Sequence, residues 1–597
     1  MSMQPKPWPG VPAVTARVAK RAFRKQGSLP IRIRDELGAW YEDGDFAGAY
    51  RVRGRPGISP AQLAMVTVLQ FTEDLTDRQA ADAVRGRVDW KYCLGLELAD
   101  PGFEFTVLSG FRDRLLAGAA ERVIFDALLG RLRELGLVGA GGRQRTDSTH
   151  VLGRIRDLNR LELAGESVRA ALEALAAAAP DWLAGVIDAS WQQVYGQRID
   201  AMRLPEGQAA RGQLAVQYGR DGYYLLGQVH AAGAPGWLAG LPAVRALRLI
   251  WIQQYYRDLG ADGEKVIWRE AGEHGLPPGR ARIVSPYDTG ARYCEKRGRG
   301  WAGYKIYLSE SICGPAAGEQ EAGRPARPQV ITNVDTTPAA VADVAMTTPV
   351  HDQMQASGLT PGEHAVDSGF MSGDELVAAR RRGITLLGPL RASRSAQLRP
   401  GGYAITSFTL DWDREQATCP QGVASSSWAP FTRRDGAQLI KVQFPAPACR
   451  ACPARSECTT AARGGRQLSL RPREIHEAVL AARAAQDTPG FKDRYRARAG
   501  VEGTIAQATH VTGIRRARYL GLDKTRLEHL AAATAINCIR LDAWYTGKPL
   551  DRTRTTHPPA ARTGPSSMNP IKQQGPITTW MWHSCRWLRA ELGGRRT

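Results

Sequence analysis

No stretch of about twenty apolar residues free of charge occurs along the chain, so nothing in it reads as a membrane-spanning helix. Met1 to Phe23 is basic and contains prolines, and it lacks the apolar centre of an export signal. Cysteine is scarce too, with nine in 597 residues and the only dense group lying between Cys419 and Cys458. That scarcity argues against a secreted disulfide scaffold and leaves reduced thiols or a metal site. Acidic residues are in deficit: 59 Asp and Glu face 80 Lys and Arg, a formal charge of +21. Such a surplus points to a polyanionic partner, and with membrane set aside the expectation is nucleic acid, met in the cytoplasm.

The chain is too long for one compact core, so several domains or a core with large insertions are expected. Residues 1–140 read as helices: Ser59 precedes an apolar run through Leu63, Val66, Leu69 and Phe71, and Thr76 precedes a second through Ala80 and Val84. After the glycine-rich Leu135 to Gly142, Arg145 to Thr149 forms a short strand with a carboxylate, Asp147, near its end. Residues 154–282 return to a helical period and read as a helical insertion. Tyr304 to Leu308, Gln329 to Val334, His364 to Asp367 and Ile384 to Leu387 read as strands, with helices over Ala339 to Ala356 and Ser372 to Arg382. The core is therefore mixed α/β, made of 141–153, 283–390 and 472–545. Residues 391–471 form a β-rich insertion holding Trp412, Trp428 and the cysteines, and Lys492 to Thr509 is helical. Residues 546–597, rich in Pro, Thr, Arg and Gly, are expected to be a disordered basic tail.

Cutting a phosphodiester requires charge to be neutralised at the attacking and leaving oxygens, which paired Mg²⁺ or Mn²⁺ ions roughly 4 Å apart can do. Hard cations take carboxylates. Asp147 and Asp367 at neighbouring strand ends, with Glu502 on a helix packed against the sheet, would supply them. Singly, each is more often a turn residue, a cap or half of an i, i+4 pair such as Arg498 with Glu502.

The neighbourhoods sharpen this. Thr146-Asp147-Ser148-Thr149, Val366-Asp367-Ser368-Gly369-Phe370 and Tyr495-x2-Arg498-x3-Glu502 resemble the three signatures of bacterial insertion-sequence DDE transposases. Val88 to Tyr92, Phe103 to Arg114, Ser285 to Asp288 and Trp301-x-Gly303-Tyr304-Lys305 share the resemblance, which covers most of residues 30 to 545. It implies a ribonuclease-H-like catalytic core that binds two metal ions through Asp147, Asp367 and Glu502, with Tyr495 and Arg498 gripping the scissile phosphate. The partners implied are double-stranded DNA, as terminal inverted repeats and target, and further copies of the chain in a synaptic complex at the nucleoid. In the family a Lys stands at the position of Thr509, and Arg515 or Arg516 would have to replace it. A nuclease of the same fold without strand transfer, and a DNA-binding protein that has lost catalysis, are the alternatives.

Nine basic residues, Lys492, Arg494, Arg496, Arg498, Arg515, Arg516, Arg518, Lys524 and Arg526, favour DNA contact over a merely solvated face. Leu75 to Val84 would be either a helix-turn-helix reading the inverted repeats or two packed helices without DNA contact. Cys419, Cys449, Cys452 and Cys458 offer four thiolates for a structural Zn²⁺, with four reduced thiols as the alternative. Trp412 and Trp428 would pack, or stack on a flipped base. His150 is expected to fix the strand end rather than bind metal.

Overall fold

The computed structural model describes residues 2–547 apart from 24–26, 156–157, 200–203, 261–262, 271, 297, 313–326, 392–400 and 462. The expected tail lies outside the described residues from 548 onward.

Thirteen strands are described: β1 Arg143–Leu152, β2 Tyr255–Gly260, β3 Gly263–Trp268, β4 Arg292–Lys296, β5 Arg299–Ser311, β6 Ile331–Pro338, β7 Glu363–Ala365, β8 Thr385–Leu387, β9 Thr409–Asp411, β10 Gln416–Thr418, β11 Ser427–Thr432, β12 Gln438–Gln443 and β13 Gln467–Leu470. The central sheet runs β4, β5, β1, β7, β8, with β6 also pairing β5. β1 is antiparallel to β5 and parallel to β7, which is parallel to β8, while β4 and β6 pair successive stretches of β5 antiparallel. β5 carries Tyr304, Ile306, Tyr307 and Leu308, all fully buried, as expected of a strand covered on both faces.

The helix Pro60–Thr72 starts where Ser59 accepts a hydrogen bond from the Gln62 N–H at 3.2 Å, and Asp77–Gly86 starts at a capping box between Thr76 and Gln79. Both follow the sequence pattern. Pro60–Thr72 is buried almost all round, because it packs against the long C-terminal helix Leu522–Tyr545, whose other face covers β6. One apolar core thus runs through Leu63 and Phe71 of the N-terminal helices, Ile306 and Leu308 of the sheet, and Ile505, Leu530 and Ile536 of the C-terminal helices.

Three expectations change. The helix expected over Ala339 to Ala356 begins only at Thr347, after a 3-10 turn Asp343–Met346; Pro349, lacking an N–H, fits a first helical turn but not an interior. The insertion 154–282 is helical only to Gln254, through Arg160–Ala178, Gln208–Val229 and Pro242–Gln254 around a core of its own. Tyr255–Gly260 and Gly263–Trp268 then pair antiparallel as β2 and β3, where aromatic and β-branched residues suit extended backbone. Finally, the run Lys492 to Thr509 is broken into helices Pro489–Arg496 and Gly500–Thr512 by a 3-10 turn, Ala497–Ala499. Gly500 and Gly503 weaken helical continuity there. The described part of residues 391–471 holds a β9–β10 pair, a β11–β12–β13 sheet and a small core of Phe408, Ala417, Val442, Phe444, Leu468 and Leu470.

Candidate active site

Asp147 stands at the middle of β1, which is longer than its sequence pattern foretold, and its Oδ1 accepts the Ser148 N–H at 2.8 Å. Asp367 lies two residues beyond β7, its Oδ1 accepting the Gly369 N–H at 2.7 Å in an Asx turn. β7 pairs parallel to β1, so the two acids come from adjacent strands. Glu502 sits in the first turn of Gly500–Thr512, which packs on β1 and β5.

Arg498, in the 3-10 turn, ties these segments together. Its Nη2 donates to Asp147 Oδ2 at 2.5 Å across 351 residues of sequence, and its Nη1 donates to Glu502 Oε1 at 3.2 Å. Arg498 and Asp147 are mostly buried, whereas the Glu502 side chain is 68% exposed, open to solvent or a ligand. Burial pushes the Asp147 carboxyl up, Arg498 opposes the shift, and Asp367 adds to it from nearby. Burial likewise raises the Tyr495 phenol, which feels Arg498, Asp367, Asp147 and Glu502 together. Tyr495 stacks on Phe491 with ring centroids 5.6 Å apart. All five motif residues therefore share one neighbourhood, and the 3-10 turn Ala497–Ala499 interrupts the helical spacing that runs from Tyr495 through Arg498 and Glu502 to Thr509.

Several residues not singled out in the sequence hold this arrangement. Glu310, fully buried on β5, accepts from Arg145 Nε at 2.6 Å, from Arg540 Nη1 at 2.8 Å and from the Thr504 hydroxyl, joining β1, β5 and both C-terminal helices. Arg145 also donates to the Ala497 carbonyl, and a Cβ on Gly500 would overlap its guanidinium. Glu363 accepts from Arg143 and Arg494. Asp343 accepts from Ser148 Oγ at 3.1 Å and Lys305 Nζ at 2.9 Å. A Cβ on Gly369 would stand 2.9 Å from Asp367 Oδ1 and 3.1 Å from Asp343 Oδ2, so this fourth carboxylate borders the Asp367 turn. A buried chain of hydrogen bonds joins Thr146 to His364 at 2.6 Å and His364 to His351 at 2.8 Å. Only long-range pairing reveals these roles; the residue types alone carry no local signal, and even Lys305 was notable only through its motif.

The basic cluster is largely neutralised. Arg494 pairs with Glu363, Arg496 with Asp493, Arg518 with Asp74, Lys524 with Asp113, and Arg526 lies near Asp335 and Asp523. Among the described residues Lys492, Arg515 and Arg516 have no carboxylate partner; Arg515 Nε donates to Thr149 Oγ1 at 3.0 Å, close to the Asp147 strand. Thr509 spends its hydroxyl on the Ile505 carbonyl of its own helix. His150 packs near Trp301, its imidazole pushed down by burial and by Arg515 and Lys296. Trp412 and Trp428 meet edge-on at 5.3 Å and pack on the core of the insertion. Asp77, at the start of the helix Asp77–Gly86 within the segment offered as a helix-turn-helix, pairs with Arg112.

Cys419, Cys449, Cys452 and Cys458 line one small cavity of about 30 Å³. Among the described residues no group of three or more His, Cys, Asp or Glu already stands at metal-holding spacing, and no helix is long and apolar enough to cross a membrane.

Residues 418–542 match the family model of the transposase DDE domain, and residues 21–114 match that of the DUF772 transposase domain. The first span includes the four clustered cysteines, Tyr495, Arg498 and Glu502, but neither Asp147 nor Asp367. No curated protein and no solved structure matches the chain.

Proposed function

We propose, from the premise that this chain is an insertion-sequence DDE transposase, that it binds the terminal inverted repeats of its element, cuts the DNA at each end and joins the freed 3′ ends to target DNA. The observation that carries this reading is Arg498 bridging Asp147 and Glu502, which brings residues of two separate sequence signatures into contact. The central sheet supports a ribonuclease-H-like assignment, since β6, β5 and β1 are successively antiparallel and β7 and β8 continue parallel to β1.

The donor set fits hard divalent cations: Asp147, Asp367 and Glu502 offer carboxylate oxygens, and a guanidinium already holds positive charge between two of them. These three residues would hold the ions, which when bound neutralise charge at the attacking and leaving oxygens. Arg498 would exchange its carboxylate partners for the scissile phosphate, a ligand its planar fork suits. The Tyr495 phenol, kept protonated by burial, would donate to a phosphate oxygen. Arg515 is better placed than Arg516 for the backbone contact that Thr509 cannot make, because it lies against Thr149 of β1. In the first reaction a water oxygen bonds to phosphorus and the 3′-oxygen leaves. In the second that 3′-hydroxyl bonds to a target phosphorus and expels the target's 3′-oxygen.

The test is strand transfer by the purified chain with Mg²⁺ and a duplex carrying the element's end. Wild type should yield cleaved and joined products, and Asp147→Ala, Asp367→Ala and Glu502→Ala should each abolish both. Cleavage without joining would instead assign a nuclease, and DNA binding unaccompanied by either product would assign a binding protein.

A further inference from the structure

The chemistry proposed above leaves the cysteine cavity unused. Its four thiols come from two separate stretches: Cys419 follows β10, while Cys449, Cys452 and Cys458 lie on or beside the short helices Ala446–Ala451 and Arg455–Cys458. Cys419 opens a tight turn in which its carbonyl accepts the Gly422 N–H at 2.8 Å and its N–H donates to Val423 at 2.9 Å. Gly422 has φ +80°, a conformation that side chains resist, and so lets the chain fold back on the sulfur. The Val423 N–H then points at Cys419 Sγ, 3.4 Å away, and the Arg466 N–H points at Cys449 Sγ at 3.3 Å. Backbone donors aimed at sulfur favour the thiolate, because a thiol accepts hydrogen bonds only weakly.

Arg466 gives a second, independent sign. It lines the same cavity, is only 8% exposed, and its Nε has no hydrogen-bond partner among the described residues. A buried guanidinium with an unanswered N–H is costly unless negative charge stands beside it. Four neutral thiols supply none. Four thiolates around a divalent cation leave a net charge of −2, which Arg466 brings to −1.

We propose that Cys419, Cys449, Cys452 and Cys458 hold one structural Zn²⁺, with Arg466 balancing the charge of the thiolate set. Binding releases four protons and oxidises nothing. The ion clasps the β9–β10 pair to the β11–β12–β13 sheet. A module whose core is six buried side chains gains much from such a staple. The closed four-thiolate set marks the site as structural rather than catalytic.

The full chain, purified under reducing conditions, should retain about one zinc per molecule after gel filtration. Cys452→Ser and Cys458→Ser should lower that content severalfold, while Cys294→Ser, outside the cluster, should leave it unchanged. Cobalt supplied in place of zinc should give the sulfur-to-cobalt charge-transfer absorption that carboxylates cannot produce. This measurement on wild type decides the matter if a variant fails to fold. A wild-type chain that retains no zinc and gives no such band, or that shows these thiols paired as disulfides, would overturn the proposal. The assay contains no DNA, so its outcome is separate from that of strand transfer.

Discussion

Arg498 donates to Asp147 and Glu502 at once, so removing it leaves the mostly buried Asp147 without its cationic partner and, in the reaction proposed above, would leave the phosphate without its planar fork. Arg498→Ala should slow single-turnover cleavage on the order of 100-fold, the loss typical of one transition-state donor. Arg498→Lys should recover only part, because a compact ammonium lacks the planar fork that meets two acceptors in fixed geometry. Unchanged cleavage by Arg498→Ala would remove the residue from the site. A second prediction concerns the buried His351–His364 pair, which stays neutral. Burial lowers the His351 imidazole from 6.5 to about 4. The unfolded chain therefore binds a proton that the folded chain refuses between those values. Stability from this residue is complete above pH 6.5 and lost progressively as pH falls from 6.5 to about 4, by about 3 kcal/mol. Urea unfolding at pH 7 and pH 5 should show the decline, and His351→Phe should reduce it. At this scale the three acids, Tyr495 and Arg498 could be put forward together because short local patterns surround them. Glu310, Asp343 and Arg540 were not, since each matters only through partners far away in sequence.

Between residue and fold, the break before Glu502 matters most. Gly500 has ordinary helical backbone angles, φ −62°, so its need is steric: a Cβ would overlap Arg145, which Glu310 and the Ala497 carbonyl hold fixed. Gly500→Ala should cost about 1–3 kcal/mol as an overpacked contact. It should also displace the helix carrying Glu502, so that cleavage falls further than the loss of folded protein explains. Equal cleavage per folded molecule, by thermal unfolding and activity on one sample, would contradict this. The helical spacing of Lys492 to Thr509 showed that the segment was helical. It could not show the break, because the guanidinium that meets the Ala497 carbonyl and Gly500 there comes from β1. Similarly, Pro349 was visible in the sequence, yet only the structure shows that the helix starts at Thr347 and leaves Asp343 to meet Ser148 and Lys305.

Across the molecule, the two family-matched stretches meet, because Pro60–Thr72 packs on Leu522–Tyr545. Composition and motif order made a mixed α/β core with insertions readable. That the N-terminal helices share its apolar interior was not, since an amphipathic pattern names a buried face without naming what covers it. Residues 1–140 expressed alone should lack cooperative thermal unfolding, for Leu63, Val66 and Leu69 would lose the long helix that covers them. A sharp transition in the isolated fragment would mean that those helices are self-sufficient. The central claim is that Asp147, Asp367 and Glu502 hold metal together, and cutting of the polypeptide by bound iron tests it most directly. With Fe²⁺ in place of Mg²⁺, hydrogen peroxide as oxidant and ascorbate to recycle the iron, hydroxyl radicals should cut the chain next to all three residues, and excess Mg²⁺ should suppress every cut. Cuts confined to other segments, or cuts that persist in excess Mg²⁺, would contradict the account.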